Sequence, residues 1–127
     1  MSAGVHYAIN AKHGACELQL PAQASSTEGE YISIMYLTDA VQEVKVGGPS
    51  GEFLTNGSLM VRRKPGPSTS SYKECTGGDK RFLTISSQDG GEGTKIQCYF
   101  NGTTWSLNAV IQYEGASADC TSDFTTS

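Results

Sequence analysis

Apolar and polar residues alternate in short runs along most of this chain, and no stretch reads as a clear helix. Val5, Tyr7 and Ile9 alternate with His6, Ala8 and Asn10, and Cys16, Leu18 and Leu20 alternate with Glu17 and Gln19. Each pattern predicts a short, half-buried strand, because successive side chains of a strand point to opposite faces. Ile32, Ile34 and Tyr36 share one face and Ser33, Met35 and Leu37 the other. A strand apolar on both sides predicts a central position. Val44 and Val46 then point inward, with Glu43 and Lys45 outward. Near the end, Ile96, Cys98 and Phe100 form one face of a hairpin. Its second arm carries Trp105, Leu107, Ala109, Ile111 and Tyr113, the longest clean alternation in the chain.

Turn residues punctuate these runs. Thr38-Asp39-Ala40 predicts a turn, and Gly47-Gly48-Pro49-Ser50-Gly51 breaks the ladder, because Gly supplies positive φ and Pro removes a donor. Asn56-Gly57 and Asn101-Gly102 are the favoured residues of type I′ hairpin turns. Both continue into glycosylation sequons, Asn56-Gly57-Ser58 and Asn101-Gly102-Thr103, but the hairpin reading is the stronger. Ser58–Arg63 and Arg81–Ser87 read as strands, Pro65–Ser71 as a surface loop, and Gln88–Gly93 as a mobile turn. The fold expected is all-β, an antiparallel β-sandwich or a jelly-roll-like barrel. The 127 residues form one β domain, with a flexible basic loop at about 62–80 and a polar C-terminal tail at about 114–127.

The net charge of −4 argues against a general nucleic-acid binder, which carries a basic footprint. That charge is unevenly placed. Residues 60–81 hold Arg62, Arg63, Lys64, Lys73, Lys80 and Arg81 against Glu74 and Asp79, a net of +4 that leaves −8 elsewhere. These six basic residues are the candidate contact to an acidic partner. The start of the chain, MSAGVHYAINAK, lacks the apolar core of a secretory signal, and no apolar run reaches the ~20 residues of a membrane span. The expectation is a soluble protein made in the cytoplasm, with no membrane partner.

Chemistry-bearing residues are few. Cys16, Cys75, Cys98 and Cys120 form no CxxC pair, and His6, His13 and Cys16 have no evident fourth ligand, so no metal site is expected. Cys16 and Cys98 sit on apolar strand faces as small hydrophobes. Cys75 and Cys120 fall in accessible segments and are the candidate disulfide cysteines. The two histidines lie near no nucleophile motif, no acidic pair has glycosidase spacing, and Gly77-Gly78 and Gly90-Gly91 lack the context of a phosphate loop. No cofactor and no enzymatic activity are expected. Trp105 reads as core in preference to a sugar-stacking platform.

The elements ISIMYLTDAVQEVKV, GGPSGEFLTNGS and YFNGTTWSL resemble bacteriophage virion β-modules over residues 31–113. The resemblance implies a homotrimeric, non-enzymatic virion protein on the capsid surface, a decoration or cement protein that binds neighbouring copies of the major capsid protein. Two alternatives stay open. One is a receptor-binding or lectin-like fibre module, with Trp105, Tyr99 and Tyr113 near a sugar. The other is a secreted, disulfide-linked β domain.

Overall fold

A computed structural model describes residues 1–10, 14–39, 42–63, 71–75, 78–113 and 120–127. The alternating runs form ten strands: β1 Val5–Ile9, β2 Cys16–Gln19, β3 Tyr31–Tyr36, β4 Val44–Gly47, β5 Asn56–Arg63, β6 Ser71–Cys75, β7 Phe82–Ile85, β8 Lys95–Phe100, β9 Trp105–Tyr113 and β10 Asp123–Thr125. One 3-10 turn, Gln23–Ser25, is the only helical element among the described residues. The fold is all-β, as the alternation requires.

The strands lie in two open sheets, six-stranded in the order β1-β3-β8-β9-β5-β6 and four-stranded in the order β10-β7-β4-β2. Both sheets are mixed. β1 pairs with β3, β2 with β4, and β5 with β9, all in parallel, whereas a wholly antiparallel fold was expected. Parallel neighbours need long crossovers, and hairpins join only consecutive strands. Here only β5–β6 and β8–β9 are consecutive pairs.

One hydrophobic core serves both sheets. The six-stranded sheet contributes Ile32, Ile34, Leu59, Ile96, Cys98, Leu107 and Ile111, and the four-stranded sheet Val44, Val46, Leu83, Ile85 and Phe124. Trp105 is 2% exposed, its ring 5.4 Å from Phe100 and its indole N–H donating to the Pro21 carbonyl at 3.1 Å. It is core and no sugar platform. Tyr113 is likewise buried.

Four expectations change. Asn56-Gly57 opens strand β5 instead of a hairpin: Gly57 faces Leu107 of β9 and Cys75 of β6. A Cβ there would stand 2.5 Å from the Leu107 carbonyl oxygen and 2.7 Å from the Phe124 ring, so glycine is required for close approach. Asn101-Gly102 does turn a hairpin, but through a longer loop in which Gly102 alone takes positive φ. The Asn101 Oδ1 accepts from the amides of Thr103 and Thr104, both at 2.9 Å, which fixes the loop by a side-chain turn. The expected mobile turn at Gln88–Gly93 is anchored, with Asp89, Gly90 and Gly91 buried. Gly90 lies flat against the Tyr36 ring, and Gly91 donates to the Gln112 carbonyl. Last, the expected polar tail is only partly so. Residues 114–119 lie outside the described residues, but β10 pairs with β7 and buries Phe124 and Ser122.

Candidate functional site

The basic segment is the first candidate, and the structure disperses it. Of the expected loop at 62–80, Arg62 and Arg63 belong to β5 and Ser71–Cys75 to β6; residues 64–70, Lys64 among them, residues 76 and 77, and the Arg63 side chain lie outside the described parts. Lys73 points inward beside Leu59, and its Nζ donates to the Ser122 carbonyl at 2.6 Å and the Cys120 carbonyl at 3.4 Å. Arg81 donates from Nε to the Gly48 carbonyl at 3.3 Å, and its guanidinium lies 4.5 Å above the Phe82 ring. Both cations serve the fold. Lys80 pairs loosely with Asp79 at 3.9 Å and bridges Leu54, whereas Arg62 is exposed opposite Gln112. Leu54 and Arg62 are eight residues apart along extended chain, roughly 25 Å. The four described basic side chains, Arg62, Lys73, Lys80 and Arg81, therefore make no single patch.

The cysteines also separate. All four are free thiols. Cys75 is no loop residue: it ends β6, is 2% exposed, and its Sγ lies 3.7 Å from the Leu54 carbonyl. Cys120 is half-buried and donates to Asp89 Oδ2 at 3.3 Å. Burial pushes both thiols up, Asp89 adding to the effect at Cys120. Burial drives the fully enclosed Cys98 thiol to about 12. Such groups are poor nucleophiles at neutral pH. His6 stands exposed on β1 with its ring 5.9 Å from Tyr31, and His13 lies outside the described residues. Among the described residues no group of His, Cys, Asp and Glu is placed to hold a metal ion.

What the fold assembles instead is an open face. The core takes one side of the six-stranded sheet and leaves the other to solvent, and the strand registers set its side chains in rows. One row is polar: His6, Ser33, Gln97, Asn108, Ser58 and Glu74 lie opposite one another across all six strands. Within it the Ser58 hydroxyl donates to Asn108 Oδ1 at 2.8 Å. The next row is Ala8, Met35, Lys95, Val110, Met60 and Tyr72, in the same strand order. On the other side of the polar row, Tyr31, Tyr99, Ser106 and Asn56 form a third.

This face carries large apolar side chains in water. Met35 is 41% exposed, Val110 39%, Met60 45% and Tyr72 57%, with Tyr31 and Tyr99 at 40% and 45%. A hydrogen bond to Glu74 holds the Tyr72 phenol above its usual range, so Tyr72 stays neutral. Two of the three methionines and three of the six tyrosines of the chain are here. Tyrosine and methionine are the types enriched at protein contacts. The sequence carries this signal at Met35, an apolar residue at an outward position; β3 does lie between two other strands, but a flanked strand can still turn one face to water.

No family model matches the chain, and neither a curated protein nor a solved structure matches it. Among the described residues no helix is long and apolar enough to cross a membrane.

Proposed function

We propose that this chain is a non-catalytic protein-binding module that attaches to a larger protein lattice through the outer face of its six-stranded sheet. The carrying observation is the row Met35, Val110, Met60 and Tyr72, each at least 39% exposed on one face. In the form favoured by the likeness to virion β-modules, the lattice is a capsid, the partner its major capsid protein, and the module a small homo-oligomer such as a trimer.

Size supports attachment by several copies. Six strands at ~4.8 Å spacing and three rows at ~7 Å give a face of roughly 500 Å². A standard interface takes ~800 Å² from each partner. One face alone binds weakly, and a symmetric oligomer gains avidity from simultaneous contacts. Apolar burial carries the attachment in this reading. Charge contributes less than the basic segment promised, since Lys73 and Arg81 are engaged within the fold.

Co-sedimentation with capsids assembled from the major capsid protein of the same genome tests the reading. The wild-type chain should pellet with them, and the Met60→Gln, Tyr72→Gln double variant should bind about tenfold more weakly, or worse, with an unchanged melting temperature. A wild-type chain that stays in the supernatant at every salt concentration overturns the capsid assignment. Attachment indifferent to the double variant removes this face from the contact.

A further inference from the structure

At the β1–β3–β8 end of the outer sheet face lies a depression of about 340 Å³ lined by His6, Ala8, Ser33, Met35, Lys95 and Gln97. We propose that it is a binding site for an acidic saccharide, a pyranose bearing a carboxylate. This goes beyond the docking role proposed above: the site shares Met35 with the docking row and otherwise lies at the end of the face away from Met60 and Tyr72.

Each part of such a ligand finds its chemistry here. The volume falls at the small end of ligand clefts, which run from ~300 to ~1,000 Å³. The lining holds Lys95 and His6 and no acidic residue, in a chain whose net charge is −4. Lys95 is exposed and pairs with no carboxylate among the described residues. A lysine ammonium is a compact point charge, suited to one carboxylate.

The neutral groups fit sugar hydroxyls. Ser33 and Gln97 are direct cross-strand neighbours, and Gln97 Oε1 takes the Tyr99 hydroxyl at the long distance of 3.5 Å. An amide and a hydroxyl side by side offer both donors and acceptors. Within the lining, Met35 and Ala8 are the apolar counterpart of the sugar's C–H face. Tyr31 and Tyr99, paired across β3 and β8 and each about two-fifths exposed, stand outside the lining in the row beyond Ser33 and Gln97, where the His6 ring packs on Tyr31 at 5.9 Å. These rings present apolar surface with a polar tip. A sugar site at Trp105 and Tyr113 is closed by their burial, and Tyr99 points away from both.

Titration of the isotope-labelled protein with sialyllactose, with a glucuronate disaccharide and with lactose, followed by amide and side-chain NMR shifts, decides the matter. At least one acidic sugar should saturate at millimolar concentration, with shifts confined to His6, Tyr31, Ser33, Lys95, Gln97, Tyr99 and their neighbours. Lactose should bind about tenfold more weakly, or worse, the loss expected when one charge-assisted contact goes missing. Lys95→Gln should erase the preference for the acidic sugars without moving the melting temperature. Met60→Gln with Tyr72→Gln should leave saccharide binding intact, which separates this site from the docking row. The proposal is overturned by equal affinity for lactose, by acidic-sugar binding indifferent to Lys95→Gln, by shifts centred elsewhere, or by no saturation with either acidic sugar.

Discussion

Asp89 and Ser122 are joined twice through one carboxylate oxygen: Oδ2 of Asp89 accepts the Ser122 amide at 3.0 Å and the Ser122 hydroxyl at 2.7 Å. The same oxygen takes the Thr121 amide at 3.1 Å and the Cys120 thiol at 3.3 Å. Asp89 is 6% exposed and has no cation against it among the described residues, so these donors do the work of solvation. Ser122 Oγ also accepts the Ser86 amide at 3.0 Å. The turn after β7 thereby holds the segment that enters β10.

Asp89→Ala should destabilise the protein by ~3 kcal/mol or more, because it strands several buried donors at once. Urea unfolding measures this. A loss below ~1 kcal/mol would mean that water replaces the carboxylate and that the turn is not an anchor.

Gly57→Ala should cost ~2 kcal/mol or more. The new methyl would meet the Leu107 carbonyl and the Phe124 ring, and overpacking against backbone has little room to relax. Gly14→Ala, where a Cβ meets nothing within 4 Å, should change stability by less than ~0.5 kcal/mol. Equal melting temperatures for the two variants would refute the close approach of β5, β9 and Phe124.

Lys73→Ala should cost ~1–3 kcal/mol, since it leaves the Ser122 carbonyl without its charged donor. Lys80→Ala removes only a loose exposed pair and should fall within ~0.5 kcal/mol of wild type. The comparison by thermal or urea unfolding separates a structural lysine from a surface one. Similar small effects at both positions would return Lys73 to the exposed basic set.

Stability should fall as pH rises above about 9. Burial lifts the Cys98 thiol from 9.0 to about 12, so the folded chain holds this proton where the unfolded chain releases it. Its contribution is complete below pH ~9 and declines between ~9 and ~12, by up to ~1.4 kcal/mol per pH unit. Tyr36 is raised too, by burial first and then by Cys16 and Asp89, and adds to the slope further into alkali. Urea midpoints between pH ~7.5 and ~10.5 should drop more steeply for wild type than for Cys98→Ala. Parallel slopes would assign the alkaline loss to other groups.

The inward faces were readable because a strand's two-residue period is written in its own residues. Ile32, Ile34 and Tyr36, then Ile96, Cys98 and Phe100, then Trp105 to Tyr113 alternate in the sequence and are buried in the same alternation. The two-residue period says which face is apolar, but not which strand lies alongside, and nothing local distinguishes the parallel β5–β9 pair from a hairpin. Asn56-Gly57 shows the consequence: the dipeptide has the chemistry of a turn, and the Phe124 ring, 67 residues later, makes its glycine a packing requirement instead.

The chain by itself determined an all-β fold, its core faces and the outward place of Met35. Tertiary structure alone decided that Asp89 is enclosed, that Lys73 and Arg81 are engaged internally, that β10 closes the second sheet, and that Tyr31, Tyr99, Lys95, Met60 and Tyr72 share one open face. The physical reason is range. Alternation acts between adjacent residues, whereas the environment of a charge or an exposed ring depends on groups that only strand pairing brings together.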